Sequence, residues 1–150
     1  PKILDQTIEY YLKNDYDYVS NFYEKTFPVG NEVEIFQYNV LEDCWKNAKK
    51  YSEREHVTPY IYNNPKKFNI GFIKFKKNIS YLHWTIDRKE DLVFVKEVFS
   101  RIQNRPVLLA DILEILEQNQ NLLEINSNVN PNEGYLKSLV RDQENKSNHK

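Results

Sequence analysis

The sequence predicts an α/β fold, a three-layer sandwich with a mixed sheet. Over the first hundred residues, short segments rich in β-branched and aromatic residues alternate with segments whose apolar residues recur every three or four positions. This alternation is typical of strands and helices that pack in layers. Only the polar turn at 76–78 separates the strand-like segments 68–75 and 81–86, so we expect these two strands to form an antiparallel hairpin within the sheet.

The predicted elements follow one another with turn residues between them. In order, they are a helix over 1–13, strands over 16–20 and 33–38, a helix capped by Asn39, a helix opened by a Ser52–Glu55 capping box, strands over 68–75 and 81–86, a helix over 90–102, and helices over 107–117, 122–125 and 131–139. We therefore expect one domain over 1–142, in which 104–142 is a helical extension. The polar residues 143–150 are expected to be a disordered tail.

Composition and charge exclude several classes of protein. The net charge of −1 provides no general attraction to nucleic acid or to an anionic membrane. No apolar run approaches the roughly 20 residues that span a bilayer. The single Cys44 excludes an internal disulfide and fits a reducing cytoplasm. The chain has no methionine and begins at Pro1, so we expect that an N-terminal portion is missing.

The strongest candidate for chemistry is Asp87, which lies between a predicted strand and the helix over 90–102. Ligands of open α/β sheets bind outside the carboxyl ends of the strands, so an acid at this position is well placed for chemistry. Asp87 with Glu90 three residues later also fits a capping box. The two roles are compatible, because a carboxylate has two oxygens. His83 lies within the predicted strand, and we expect it to be a packed or edge-facing residue.

A second group of candidates is polar. Arg54, Glu55 and His56 come together at a predicted helix start, where they either face a substrate or form an exposed helix end with a capping glutamate. Glu32 and Glu34 flank one residue of a predicted strand. They either bind a metal or a sugar hydroxyl, or they form the solvent-facing side of the strand.

Four stretches of the chain resemble the cytidylyltransferase family that includes acylneuraminate and 3-deoxy-manno-octulosonate cytidylyltransferases. The likeness is greatest to the spore coat polysaccharide biosynthesis branch. The stretches are Thr-Phe-Pro-Val-Gly-Asn-Glu-Val-Glu-Ile-Phe at 26–36, Ser-Glu-Arg-Glu-His-Val-Thr-Pro-Tyr at 52–60, Trp-Thr-Ile-Asp-Arg-Lys-Glu-Asp-Leu at 84–92 and Asn-Glu-Gly-Tyr-Leu-Lys at 132–137. Their order and spacing agree with the family along nearly the whole chain.

The resemblance implies a Rossmann-like nucleotidyltransferase fold that is incomplete at the N-terminus, this chain being roughly the C-terminal two-thirds. It implies that a CTP-binding loop and an upstream metal-binding Asp precede Pro1, and that Asp87 is an Mg²⁺ ligand. Relatives acting on sialic acid often carry Asp-Ile-Asp at this point, where this chain has Thr85 as the first residue. The implied sugar-side residues are Arg54, Glu55, His56 and Glu34.

The implied activity is that of an enzyme that activates a sugar with CTP and releases pyrophosphate, for surface polysaccharide biosynthesis. Two alternatives remain open, a glycosyltransferase that uses a nucleotide sugar and a binding fragment without chemistry. We expect this piece alone to be inactive, because its phosphate loop would lie elsewhere. The expected partners are CTP and a sugar, without nucleic acid or membrane, and the helices after Val107 either cover the sheet or form a homodimer surface.

Overall fold

The computed structural model describes residues 2–127 and 133–147. Within these ranges, helices and short strands alternate along the first part of the chain, and helices alone follow. The elements are α1 (Lys2–Leu12), β1 (Tyr18–Ser20), β2 (Glu34–Phe36), α2 (Tyr38–Asn47), α3 (Tyr51–His56), α4 (Pro59–Tyr62), β3 (Ile70–Phe72), α5 (Lys89–Arg101), α6 (Leu109–Gln118), a 3₁₀ helix (Gln120–Glu124) and α7 (Glu133–Ser147).

The three strands form one mixed sheet in the order β2-β1-β3. Tyr18 of β1 lies opposite Phe36 in the antiparallel pair with β2 and opposite Ile70 in the parallel pair with β3. All three residues of β1 are fully buried, as expected for a strand paired on both edges. The predicted α/β class with a mixed sheet is therefore confirmed.

The predicted hairpin between 68–75 and 81–86 is wrong. The second segment is extended, but it pairs in parallel with the loop before β2 through a single bridge. Val29 N–H donates to the carbonyl of Leu82 at 2.9 Å, and Trp84 N–H donates to the carbonyl of Val29 at 2.9 Å. The backbone groups of 82–84 therefore bond to this loop, and those of β3 bond to β1. Neither segment leaves its hydrogen bonds for the other, as a hairpin would require.

Gly30 allows the loop and the extended segment to approach closely. Its φ of +97° lies in the left-handed region that side chains other than glycine rarely adopt. A Cβ at Gly30 would lie 3.1 Å from the carbonyl carbon of Trp84 and 3.1 Å from the nitrogen of Thr85. The Gly30 N–H donates to Oε2 of Glu32 at 2.7 Å, which fixes the turn.

Helix α3 begins earlier than the sequence predicts. Lys50 precedes its first residue, and the carboxylate of Glu53 in its first turn accepts a hydrogen bond from the Lys50 N–H at 3.3 Å. The predicted capping box of Ser52 with Glu55 is therefore wrong. Ser52 lies inside the helix and is buried, because it faces α7.

The starts of α2 and α4 are set by different residues. α2 begins at Tyr38, so the predicted cap Asn39 lies inside the helix, where its Oδ1 accepts from the Val40 N–H at 3.0 Å. Pro59 occupies the first turn of α4, a position where its missing N–H leaves no helical hydrogen bond unmade. The proline thus separates α3 and α4 into two helices.

Apolar side chains gather in two clusters. One packs α2 and α4 against the sheet and consists of Tyr18, Val40, Cys44, Ile61 and Phe68. The other packs α5, α6 and the 3₁₀ helix around the extended segment and consists of Ile79, Leu82, Phe94, Val98, Ile102, Leu116 and Leu122. The second cluster fixes α5 relative to the segment that precedes it.

Helix α7 packs against α3 and continues to Ser147. The helix passes the predicted boundary at 142, so residues 143–147 are helical. The predicted helix start at Pro131 and residues 148–150 lie outside the described ranges. In the described ranges, we find no helix of the length and apolarity that crossing a bilayer requires.

Candidate functional site

Three side chains with metal-binding chemistry meet where the extended segment runs into α5. His83 Nε2 lies 3.5 Å from Oδ2 of Asp87 and 3.9 Å from Oδ1 of Asp91. One ligand atom of each residue lies within 4.8 Å of the other two. We call these three residues the His83 cluster.

Asp91 supplies a fixed, ionised carboxylate to this cluster. It is fully buried, and its Oδ2 accepts from the Arg88 N–H at 2.9 Å and the Asp87 N–H at 3.2 Å. Its Oδ1 accepts from Asn126 Nδ2 at 3.1 Å. Burial raises the pKa of Asp91, but the hydrogen bonds from Asn126 and the two backbone groups outweigh burial and hold the pKa below its usual value. The predicted capping box of Asp87 with Glu90 is therefore wrong by one residue.

Thr85 joins His83 to Asp87 through one hydroxyl. The hydroxyl donates to Asp87 Oδ2 at 2.8 Å and lies 2.7 Å from His83 Nε2. A hydroxyl has one proton, so its oxygen accepts from His83 Nε2–H in this arrangement. His83 is only 8% exposed, and its Nδ1 has no hydrogen-bond partner among the residues that the structure describes.

The chemistry of the His83 cluster fits a divalent cation. Carboxylate oxygens are the ligands that Mg²⁺ prefers, and imidazole is a common ligand of transition metals. The Asp87 side chain is 65% exposed, so a cation held there would remain open to water or to phosphate oxygens. The buried Asp91 carboxylate adds a second negative charge to the cluster, and its hydrogen bonds fix the position of that charge.

A separate cavity of about 450 Å³ lies between β2, α3, α4 and α7. Its lining includes Glu34, His56, Tyr62 and Tyr135, and we call it the Glu34 cavity. Its volume is in the range of roughly 300–1,000 Å³ that small-molecule sites occupy. The sequence-predicted residues Glu34 and His56 are therefore brought together.

Hydrogen bonds hold both of these residues in place. Glu34 Oε1 accepts from the hydroxyl of Tyr18. The Ser138 hydroxyl donates to the carbonyl of Gly134 at 3.2 Å, so its oxygen accepts from His56 Nε2–H at 3.0 Å. The edge of the His56 ring also meets Tyr135, with ring centroids 5.4 Å apart. In this tautomer, His56 Nδ1 is left as a hydrogen-bond acceptor.

The hydroxyls of Tyr62, which lines the Glu34 cavity, and of Tyr18, which binds Glu34, remain protonated at neutral pH. Burial, with smaller contributions from Tyr135 and Glu34, raises the pKa of Tyr62 well above its usual value. Burial and the neighbouring Glu34 carboxylate raise the pKa of Tyr18 in the same direction. These hydroxyls therefore act as neutral hydrogen-bonding groups.

The structure does not bring Arg54 and Glu55 into the Glu34 cavity. Arg54 lines another cavity, of about 500 Å³, beside α2, where its Nη1 donates to the carbonyl of Trp45 at 2.7 Å. Glu55 is exposed, and Glu53 is the buried acid of α3. A substrate role for Arg54 or Glu55 stays a prediction that this placement does not support.

A smaller cavity adjoins the Glu34 cavity. It measures about 230 Å³ and shares Phe22, Lys25 and Glu32 with the lining of the larger cavity. It also reaches Val29, which bridges to His83. The loop before β2 therefore lines the smaller cavity and also pairs with the segment that carries His83.

Sequence reasoning identified Asp87 but missed the other members of the His83 cluster. The sequence predicts His83 as a packed or edge-facing residue and Glu90 as the capping acid, so it does not indicate Asp91. Spacing alone does not show that an extended residue and a first-turn helical residue converge. A helix boundary placed one residue later would have indicated Asp91 as the capping acid.

The fold, the His83 cluster and the Glu34 cavity define an α/β protein with a candidate cation site and a candidate small-molecule site. Comparison with known proteins then identifies its family. A sequence profile described as cytidylyltransferase matches residues 1–130, so the chain belongs to the cytidylyltransferase family. The resemblance and the Rossmann-like nucleotidyltransferase fold predicted from it are confirmed.

Individual relatives agree with this assignment. The chain is 36% identical over 130 residues to the uncharacterized protein MJ1063 of Methanocaldococcus jannaschii, covering 85% of this chain and 52% of that protein. It is 29% identical over 125 residues to the spore coat polysaccharide biosynthesis protein SpsF of Bacillus subtilis, covering 79% of this chain and 50% of SpsF.

A solved structure of a cytidylyltransferase from Leptospira borgpetersenii superposes with a TM-score of 0.79 at 27% identity. The match covers 86% of this chain and 55% of that chain. This chain therefore spans about half the length of the relatives that it matches.

Proposed function

We propose that the whole protein is a nucleotidyltransferase that activates a sugar with CTP and releases pyrophosphate. The observation that carries the proposal is the His83 cluster at the start of α5, in a chain that belongs to the cytidylyltransferase family. In the proposed reaction, a sugar hydroxyl attacks the α-phosphate of CTP, and pyrophosphate leaves.

Asp87 and Asp91 would hold Mg²⁺ in this proposal. The cation supplies positive charge that offsets the negative charge of the phosphates during transfer. The two carboxylates differ in exposure, since the Asp87 side chain is 65% exposed and Asp91 is buried. We therefore assign them different roles. Asp87 would meet the cation on the solvent side, and Asp91 would fix the charge behind it. The Thr85 hydroxyl would orient the Asp87 carboxylate through the hydrogen bond at 2.8 Å.

The Glu34 cavity would hold the sugar. Glu34 would accept a hydrogen bond from a sugar hydroxyl, and His56 Nδ1 would accept another. Tyr135 would cover the ring from α7. Support comes from the lining residues that this cavity shares with the smaller one, which reaches Val29 in the loop that pairs with the His83 segment. We propose that a sugar bound at Glu34 meets, across this loop, a nucleotide bound near Asp87.

We place the reaction in the cytoplasm, in the synthesis of surface polysaccharide. The support for the polysaccharide role is the 29% identity to SpsF. The single Cys44 fits a reducing compartment. A homodimer stays a prediction.

The test is a pyrophosphate-release assay with CTP, Mg²⁺ and a panel of neutral, amino and acidic sugars. It is run on the full translated product of the gene and on the 150-residue chain. We expect sugar-dependent release from the full product and none from the chain. Absence of release by the full product with every sugar would contradict the proposal, and turnover by the chain would contradict its expected inactivity.

A further inference from the structure

We infer that Asn126 is a positioning residue of the cation site. Its side-chain amide fixes the Asp91 carboxylate and the backbone of His83 relative to each other, and thereby sets how tightly the His83 cluster binds a divalent cation. The inference rests on the proposed function, because it takes the His83 cluster as the cation site. It assigns a role in that site to a residue of the helical extension predicted over 104–142.

The Asn126 side chain makes two hydrogen bonds to the cluster. Its Nδ2 donates to the backbone carbonyl of His83 at 2.8 Å and to Oδ1 of Asp91 at 3.1 Å. A side-chain amide nitrogen carries two protons, so both bonds form at the same time. Both partners are acceptors, so the nitrogen of the amide and not its oxygen faces them. Asn126 is 8% exposed, which shields these bonds from competing water.

The bond to Asp91 fixes the carboxylate oxygen that lies beside His83. Oδ2 of Asp91 accepts from the backbone N–H groups of Asp87 and Arg88 and so belongs to the cap of α5. Oδ1 lies 3.9 Å from His83 Nε2 and accepts from Asn126. With both oxygens bound, the carboxylate cannot rotate without breaking a hydrogen bond. Asn126 therefore determines where this negative charge lies relative to a cation.

The bond to His83 fixes the backbone from which the imidazole extends. The Leu82 carbonyl and the Trp84 N–H both bond to Val29 in the loop before β2. Successive carbonyls of an extended segment point to opposite sides, so the His83 carbonyl points away from this loop. Asn126 binds that carbonyl, as a neighbouring strand would. The two edges of the segment are thus held by different parts of the chain.

The chain that carries Asn126 is itself fixed by apolar packing. The 3₁₀ helix over Gln120–Glu124 ends just before it, and Leu122 of this helix is 2% exposed in the apolar cluster with α5 and α6. Ile125 packs against the same cluster. Because protein interiors are close-packed, Asn126 has little freedom to shift. It therefore holds the carboxylate in place before a cation binds.

The experiment measures Mn²⁺ binding to the 150-residue protein and to Asn126→Ala, from the midpoint at which the His83 ring signals broaden in NMR. Removing a hydrogen-bond partner of a metal ligand typically weakens metal binding by about 10–100-fold. We therefore expect Asn126→Ala to bind Mn²⁺ about tenfold or more weakly, although Asp87 and Asp91 are still present. Thermal melts of both proteins ensure that binding is measured below the unfolding transition of each.

Asn119→Ala is the matched control, because it removes the same kind of side chain at the other end of the 3₁₀ helix. Asn119 is half-buried, and its Nδ2 donates to the Ile115 carbonyl at 2.9 Å. If Asn126 only stabilised the fold, both variants would melt earlier and bind Mn²⁺ as wild type does. The positioning role predicts that Asn126→Ala alone loses affinity.

A measurement on wild type covers the case in which Asn126→Ala does not fold. Mg²⁺, which is diamagnetic, is titrated into the protein while the side-chain amide signals of Asn126 and Asn119 are followed by NMR. We expect saturable shifts for Asn126, because one of its protons bonds to an Asp91 oxygen beside the cation. We expect no shift for Asn119.

Equal Mn²⁺ affinity of Asn126→Ala and wild type overturns the inference, and so does an equal loss of affinity in Asn119→Ala. Asn126 amide signals that stay in place while Mg²⁺ shifts the His83 ring signals also overturn it. Absence of binding in wild type overturns the inference together with the cation site on which it rests. Pyrophosphate release by the full product is a separate measurement, so the role of Asn126 can fail while the proposed function holds.

Discussion

Replacement of Asp142 tests how α7 is held against α3. Asp142 is 9% exposed, and its Oδ1 accepts from the Ser52 N–H at 3.1 Å while its Oδ2 accepts from the Ser52 hydroxyl at 2.5 Å. The first N–H groups of a helix have no partner within the helix. Asp142 therefore caps α3 from another part of the chain and binds α7 to it.

The magnitude follows from what Asp142→Ala leaves unpaired. A buried donor without an acceptor costs about 1–3 kcal/mol, and the loss of a helix cap costs about 0.5–2 kcal/mol. Because the hydroxyl of Ser52 can rotate to another partner, the two costs do not add fully. We expect the free energy of unfolding to fall by about 2–4 kcal/mol, a large part of the total of roughly 5–15 kcal/mol for a typical domain.

The difference between wild type and variant is expected to depend on pH. Burial raises the pKa of Asp142, but the hydrogen bonds from Ser52 and Tyr51 outweigh it and hold the pKa below the ordinary value of 3.8. A carboxyl with a lowered native pKa stabilises the fold above its unfolded pKa and loses this effect as the pH falls through the native pKa. The difference is therefore constant near neutrality and shrinks below about pH 3.8.

The assay is urea unfolding followed by tryptophan fluorescence, at neutral pH and in acid. Glu144→Ala is the matched control, because Glu144 is an exposed acid on the same helix and its loss is expected to cost within about 0.5 kcal/mol. A loss with Asp142→Ala no greater than with the control would refute the reasoning. So would a difference that does not shrink in acid.

Three further predictions, two of them with a control substitution, test particular contacts. Gly30→Ala places a side chain at φ +97° against backbone atoms 3.1 Å away and is expected to cost about 1–3 kcal/mol in thermal melts, whereas Gly134→Ala, with nothing within 4 Å, is expected to be neutral or stabilising. His56→Ala in the full product is expected to raise the KM for the sugar several-fold in the pyrophosphate-release assay, and Arg54→Ala to leave it unchanged, because Arg54 lines the other cavity. Asp91→Ala is expected to cost about 3–5 kcal/mol, measured by urea unfolding, because three hydrogen-bond donors lose their acceptor.

Local patterns predicted the helices well. The apolar spacing in 1–13 and 90–102 corresponds to α1 and α5 within about one residue at each end. The pairing of the strands was harder to predict from the sequence. Alternation of side chains shows that a segment is extended but not which segment it pairs with. β3 pairs with β1, roughly fifty residues earlier, rather than with the segment next to it.

The candidate site was also predictable only where it depends on local sequence. Asp87 could be found because its position between an extended segment and a helix is a local feature. His83 and Asp91 join it only through the packing of α5 on the extended segment. Arg54 and Glu55 were grouped with His56 because they are adjacent in sequence, but neighbouring residues on a helix point in different directions.

Binding of Mn²⁺ to Asp87→Asn tests the central claim most directly. Mn²⁺ prefers oxygen ligands as Mg²⁺ does, and it broadens NMR signals near its site. In wild type we expect Mn²⁺ to broaden the ring signals of His83 and excess Mg²⁺ to reverse the effect. In Asp87→Asn we expect at least about tenfold weaker binding, because the amide carries no charge. The melting temperature should change little, since Asp87 is 65% exposed and Asp91, not Asp87, caps α5. Equal Mn²⁺ affinity in both proteins, or no broadening of His83 in wild type, would contradict the assignment of Asp87 as a cation ligand.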